Sequence, residues 1–437
     1  MMRAGGKRHV PDILDCLAQL SNDEVPTPPN LARAMLDVLP EGIWSNPELR
    51  WLDPFCKSGV FLREIASRLL DSLAEWEPDH VKRREHIYRN MLFGCSITEM
   101  TGHIARRSLY YSRDASGTHS VVKFDSDQGN LPFVPAEHRF VKGRCDVCGA
   151  PEDLERGGGR ENYAYAFIHD AFPTKEMDGM SFDVIVGNPP YQIDSEGNTR
   201  TMPIYQKFVE QAIRLNPRHL VMITPSRWFA GGLGLDHFRA TMVADRHIAK
   251  MVDNPKLFDC FPGVEIKGGV SYFLWSRDHD GDCEFSTRID GEITSTLVRD
   301  LRDGEGVLLR QNEAIPVLKK IRAKGDPSVA HRISSQAPFE LRSNFTGSKK
   351  KPDADAVKLY IRGRGGLGSA LRTAEGAGDG GLVQGLHSEG GRWPRSHPGD
   401  GSRHARRGRS ALGLHDDLPR RRKLGNAGGR GELRRLP

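Results

Sequence analysis

Leu52-Asp53-Pro54-Phe55-Cys56-Lys57-Ser58-Gly59-Val60-Phe61-Leu62 carries the pattern of a strand, a tight turn and the start of a helix. A short apolar run, Leu49–Asp53, enters a tight turn of small residues. Val60, Phe61, Ile65, Leu69 and Leu73 then recur at helical spacing. A strand that turns sharply into a helix leaves the first backbone N–H groups of that helix pointing outward, able to hold a carboxylate. The second decisive stretch is Phe182-Asp183-Val184-Ile185-Val186-Gly187, followed directly by Asn188-Pro189-Pro190-Tyr191. A continuous apolar run ending in Gly is the pattern of a parallel strand buried on both faces.

Outward from these two stretches, strand-like runs alternate with helical ones. Met91–Ile97, Tyr165–His169, His219–Thr224 and Val270–Trp275 read as strands, and Ile204, Phe208, Ala212 and Leu215 form a helical stripe. That alternation predicts an α/β domain built on a parallel sheet with crossover helices. In such sheets ligands bind at the carboxyl ends of the strands, where both decisive turns lie.

The chemistry at the second turn follows from its residue types. An Asn offers a side-chain carbonyl acceptor, and the proline after Pro189 holds the Pro189 carbonyl in extended geometry. Two acceptors converging on an amino group take both of its hydrogens, and Tyr191 offers a flat face for a planar base. Asn-Pro-Pro alone is an ordinary strand-to-loop stop. What distinguishes it here is the pairing with the earlier Asp-Pro-x-x-x-Ser-Gly-x-Phe turn.

These motifs resemble the NPPY-type adenine-N6 DNA methyltransferases of restriction–modification systems, from about Val25 to Asp290 and more weakly to about Gly363. The resemblance implies a Rossmann-like sheet of the class I S-adenosylmethionine-dependent kind, with S-adenosylmethionine as cofactor and a C-terminal target-recognition region. It places Thr27 and Pro28 in an N-terminal cofactor motif, and Asp53, Pro54, Gly59 and Phe61 in the loop under the methionine moiety. Glu99 becomes the candidate for the ribose hydroxyls. Asp170 and Phe172 resemble the acid and aromatic that contact the cofactor's adenine. Asn188, Pro189 and Tyr191 would hold the target adenine, flipped out of duplex DNA. Two positions depart from the family pattern: Lys57 stands where Gly is usual, and Ser96 replaces an acid within the second strand.

Bulk composition sets the frame for the rest. The chain has 437 residues and a formal charge of +6. Residues 363–437 hold 15 Lys and Arg against 7 Asp and Glu, leaving 48 basic and 50 acidic residues before them. Net charge therefore says little about DNA binding, which needs a local patch. Arg227, Lys267, Lys349, Lys350 and Lys351 are the candidates for phosphate contact. The last segment has 19 Gly and 14 Arg but a single Lys, no Ile, and Trp393 as its sole aromatic. Such a composition predicts disorder, and the abrupt swing to Arg favours a shifted reading frame over a genuine tail. The expected organisation is a methyltransferase domain over 1–290 with an insertion at about 110–162, the start of a recognition domain over 291–362, and the tail. No run approaches the ~20 apolar residues of a membrane span. Seven scattered cysteines make no disulfide framework, so a cytoplasmic location is expected.

Two weaker constellations remain. Cys145-Asp146-Val147-Cys148 looks like half a zinc knuckle, but no second Cys pair follows, and His119, His138 and His169 lack ligand-pair spacing. A plain turn without metal is the expectation. Glu265-Ile266-Lys267, with Asp253 or Asp259, resembles the acidic end of a nuclease site, a three-residue pattern common by chance. The readings in competition with a DNA adenine methylase are a bifunctional nuclease–methylase, a DNA-binding relic, and a methylase of RNA or protein glutamine. Double-stranded DNA is the expected partner, with a separate restriction nuclease as a further candidate.

Overall fold

A proline opens the first helix. α1 (Pro29–Leu36) follows Pro28 in extended conformation and buries Leu31, Ala32, Met35 and Leu36. The computed structural model describes residues 26–325, apart from 151, 153–164, 170, 174–176, 194–201, 233, 257, 262–263, 265 and 305, together with 360–361 and 364–365. One compact unit is Met1–Pro327.

Strand β1 (Trp51–Cys56) leads through the small-residue turn into α2 (Val60–Ser72), and both bury the apolar residues that predicted them. α3 (His80–His86) is started by Asp79, whose carboxylate accepts from the N–H groups of Val81 and Lys82. β2 (Leu92–Ser96) is buried along its length and runs into α4 (Glu99–Tyr110), closed at its start by a reciprocal Thr98–Thr101 capping pair. The short hairpin β3 (Phe140–Val141) and β4 (Arg144–Cys145) follows within the insertion. Then come β5 (Val184–Gly187), the small ladder β6 (Gln192–Ile193) and β7 (Met202–Pro203), α5 (Tyr205–Arg214) and β8 (His219–Pro225). α6 (Asp236–Ala244), β9 (Ile248–Asn254), β10 (Val270–Ser276), β11 (Cys283–Ile289), β12 (Glu292–Arg299) and α7 (Ala314–Ala323) complete the unit. A second unit, Ser328–Pro437, contributes the two-residue strands β13 (Tyr360–Ile361) and β14 (Arg364–Gly365).

Eight strands form one mixed sheet in the order β12-β11-β9-β10-β8-β5-β1-β2. β2, β1, β5 and β8 are parallel neighbours, whereas β10 runs antiparallel between β8 and β9. The α/β expectation holds, with the parallel part carried by the predicted strands. Two apolar layers cover the two faces. One contains α1, α2 and α4 residues such as Met35, Ile65 and Leu109; the other contains Phe208, Trp228 and Phe285.

Tyr165–His169 is not a strand: residues 166–169 form a turn. The outer edge of β2 is taken instead by residues 130–133. Gly94 N–H donates to Asn130 C=O and Ser96 N–H to Pro132 C=O, both at 2.9 Å, and Ser96 bridges Phe133 in parallel. A proline is tolerated there because its missing N–H falls at a sheet edge. The boundary expected at residue 290 falls in the tight turn between β11 and β12, both of which belong to the sheet.

Candidate active site

The crevice begins at Pro54. β1 pairs with β5 only through Trp51↔Val184 and Leu52↔Ile185. On its other side the ladder to β2 is interrupted between Asp53 and Cys56. A proline in a central strand has no N–H to give to a ladder, so a bulge here is its physical consequence. From Asp53 onward the strand departs from regular pairing. The chain continues to β2 on one flank and returns in β5 on the other, which makes this a topological switch point. Gly187 closes the approach from the β5 side. A Cβ on it would stand 2.6 Å from the Phe55 ring and 3.3 Å from Asp53 Oδ1, so a side chain there would push the strands apart.

Asn188 therefore emerges beside Asp53, and both are buried. The Asn188 Nδ2 donates to Thr27 Oγ1 at 3.1 Å. That bond fixes which way the amide faces and leaves Oδ1 as the acceptor on its opposite side. Thr27 is itself buried just ahead of α1, so the N-terminal motif supports the Asn as well as flanking the crevice. Pro189 and Pro190 are buried, and Tyr191 is half-buried with its ring edge-on to Phe261 at 6.3 Å. Burial pushes the Tyr191 hydroxyl well above its ordinary pKa, so it stays protonated. Tyr191 C=O accepts from Ile204 N–H at 3.1 Å, and the β6–β7 ladder holds the loop just beyond it.

The turn after β1 has the features of an anion cradle. Gly59 sits at φ 73°, the left-handed region, and no side chain caps α2 behind it. A Cβ at Gly59 would lie 3.0 Å from the Ala105 carbonyl oxygen on α4, a second reason for glycine. The free N–H groups of the first turn are thus offered to a ligand. Asp53 stands at the base of the turn. Desolvation pushes its carboxyl up to about 6, partly offset by hydrogen bonds from the Phe55 N–H and Cys56 and by the charge of Lys57. The departure at Lys57 thereby has a physical sense: this side chain is buried and its charge partly compensates the acid beneath the turn.

The other predicted positions divide. Pro28 precedes α1, whereas Phe61 is buried in the core under α2. Glu99 opens α4 one turn past β2 and is exposed, 3.9 Å from His103 Nε2. Phe172 packs edge-on against Phe167 at 4.9 Å, and Phe167 in turn meets Phe55 of β1 at 5.3 Å. Asp170 lies outside the described residues, as do Lys349, Lys350, Lys351 and Glu265. Arg227 and Lys267 are both exposed. An uncapped helix start, a buried acid and a second acid at the next strand end suit a ligand with a carboxylate, a cationic centre and sugar hydroxyls.

Two features were not foreseen. Asp253, a candidate nuclease acid, is fully buried at the end of β9 and bidentate with Arg310, both contacts at 2.7 Å. Ser226 Oγ donates to the same carboxylate at 2.8 Å, and Arg310 also donates to Gly268 C=O at 2.6 Å. This acid ties the loop after β8 to the turn before β10 and is not open to a metal. The surroundings of Cys145 and Cys148, expected from sequence to be a plain turn, are the second. His138 and His169 stand beside them, from segments too far apart in sequence for a spacing rule to pair.

Residues 90–261 match the family model described as the Eco57I restriction-modification methylase. An uncharacterized adenine-specific methylase of Mycoplasma pneumoniae is 34% identical over 366 residues, covering 77% of this chain and 86% of that protein. Among solved structures, the type I restriction-modification methyltransferase subunit from Streptococcus thermophilus matches at 12% identity and TM-score 0.39, over 71% of this chain and 56% of that one. The M protein of the type I restriction enzyme EcoKI matches at 13% identity and TM-score 0.39, over 62% and 50%. The present chain thus spans about half the length of these solved chains.

Proposed function

This chain belongs to the adenine-specific methylases of restriction–modification type, and we propose that it transfers the methyl group of S-adenosylmethionine to adenine N6 in duplex DNA through Asn188, Pro189 and Tyr191. The observation that carries the assignment of residues is the switch-point crevice, with Asn188 held by Thr27 on one lip and the Asp53–Gly59 turn on the other. S-adenosylmethionine supplies an electrophilic methyl on a sulfonium. The uncapped start of α2 is suited to its carboxylate, Asp53 to its positive charge, and Glu99 to its ribose hydroxyls.

Adenine's amine is a poor nucleophile because its lone pair is delocalised into the ring. Asn188 Oδ1 and the Pro189 carbonyl accept its two hydrogens and favour a pyramidal nitrogen whose lone pair is localised and aimed. No side chain needs to act as a covalent nucleophile; positioning and preorganised dipoles do the work. The amine is paired inside a duplex, so the base must leave the stack, and Tyr191 offers a face for it.

The test is transfer of labelled methyl from S-adenosylmethionine to duplex DNA, with Asn188→Ala alongside. Label on adenine N6 that drops at least about 100-fold in the variant, with cofactor binding kept, supports the reading. Equal labelling by both proteins would remove Asn188 from the mechanism. Binding of S-adenosylmethionine without any label on DNA would point to a relic.

A further inference from the structure

We infer that His138, Cys145, Cys148 and His169 form a structural zinc site that clamps the insertion to the segment entering the cofactor crevice. Their four potential ligand atoms all lie within 4.8 Å of one another, and this is the only such group among the described residues. The closest contacts are Cys148 Sγ to His138 Nδ1 at 3.4 Å and Cys145 Sγ to His169 Nε2 at 3.6 Å. Ligand–metal bonds of about 2.1 Å to nitrogen and 2.3 Å to sulfur give a tetrahedron with S–N edges of about 3.6 Å. The cluster is therefore already near the size that zinc requires.

The surroundings are built for it. Lys142 and Gly143 both take positive φ, 54° and 74°, the pair needed for the tight turn of the β3–β4 hairpin that presents Cys145. Past Cys145 the chain folds back on itself. Gly149 N–H donates to Cys145 C=O at 2.9 Å, Cys145 N–H to Ala150 C=O at 2.8 Å, and Ala150 N–H to Cys148 Sγ at 3.5 Å. An N–H directed at a sulfur stabilises thiolate character. His169 Nδ1 lies 2.9 Å from Tyr165 C=O. Donation there fixes the tautomer and leaves Nε2 to the cluster, the usual outer support of a metal-bound imidazole. Three of the four residues are buried, and two thiolates with two imidazoles form a closed, soft set that suits structural zinc rather than a catalytic ion.

What the clamp holds is the wall of the crevice. Tyr165 packs edge-on against Phe208 at 5.3 Å, and Phe167 joins Phe55 of β1 to Phe172. The turn 166–169 has no strand pairing of its own. A metal crosslink to the β3–β4 hairpin would supply the rigidity that a ladder would otherwise give.

The experiment is zinc analysis of the full-length protein purified under reducing conditions without added metal. It is paired with Co(II) substitution and with Cys145→Ser, using Cys283→Ser as the control cysteine. About one zinc per chain, retained in C283S and lost in C145S, is the expected result. Co(II) should give the intense visible absorption of a tetrahedral site together with thiolate charge-transfer bands. Less than about a tenth of an equivalent of zinc and no tetrahedral Co(II) spectrum in the wild type would overturn the inference. Full zinc retention in C145S would do the same. If C145S does not fold, the charge-transfer bands of the wild-type Co(II) protein decide whether cysteines ligate. The clamp's effect on the crevice rests on the proposed function: removing zinc should weaken S-adenosylmethionine binding about tenfold. Metal content reads independently, so failure of one is distinguishable from failure of the other.

Discussion

Burial governs Asp53 more strongly than any single neighbour does. In the folded chain its carboxyl keeps a proton up to about pH 6, whereas the ordinary value is 3.8. Between those limits the folded state binds more protons than the unfolded one, so stability falls as pH rises from about 4 to about 6 and then levels off. Asp53→Asn should remove that slope and stabilise the protein at pH 7 by up to about 3 kcal/mol, measured by denaturant titration at several pH values. Under the proposed function the same variant should bind S-adenosylmethionine more weakly, because the acid assigned to its positive charge is gone. Wild-type affinity should be flat above about pH 7 and weaken towards tenfold per pH unit well below 6, as the acid protonates. Stabilisation without loss of affinity would leave Asp53 a structural liability with no role in the site. Thr27 makes a second prediction at this scale. Thr27→Val keeps the shape but deletes the acceptor for Asn188 Nδ2. Without that bond the Asn188 amide is less firmly oriented, so kcat should fall about 10- to 100-fold, beyond any loss of cofactor affinity.

At the scale of elements, the turn between β1 and α2 is the most exacting. Gly59→Ala meets both a left-handed backbone and the Ala105 carbonyl at 3.0 Å. It should cost about 1–3 kcal/mol of stability and raise the S-adenosylmethionine Kd more than tenfold, because the start of α2 must shift. Retained affinity in a protein destabilised by that amount would remove the helix start from the binding site. Both sides of the crevice were legible in sequence because their signals are local: an apolar run, then a turn of Pro, Gly or Asn, at the carboxyl end of a strand. The elements that were missed depend on distant partners. β9 ends in Asp253 and Asn254, buried polar residues that hide a strand until Arg310 and Ser226 are seen to satisfy the acid. Tyr165–His169 has the apolar character of a strand, but residues 130–133 occupy the available edge. The β11–β12 hairpin did carry a local signal, Asp290-Gly291 at φ 52° and 85° between β-branched runs. The four ligands around Cys145 come from three stretches separated by up to about 20 residues, beyond the reach of any short spacing pattern.

For the whole molecule, charge and site are carried by different parts of the chain. The candidate cofactor and adenine residues all fall within the compact unit Met1–Pro327, while residues 1–362 hold a small excess of acid and 363–437 an excess of base. A protein without residues 363–437 should keep its unfolding midpoint and its affinity for S-adenosylmethionine, since no residue assigned to the crevice is lost. DNA affinity is the quantity that should move. Binding to phosphates releases counterions, so log K falls with log salt by about 0.9 for each contact. Fourteen arginines and one lysine are removed with the tail, and any of them that touch DNA contribute to that slope. The expected outcome is weaker binding at low salt and a shallower salt dependence, with labelled methyl transfer at saturating DNA unchanged. A slope identical in the two proteins would assign the phosphate contacts to exposed bases nearer the crevice. Arg227 and Lys267, which stand at the carboxyl end of β8 and just before β10, would then be the pair whose alanine variants must flatten it, by about one unit each.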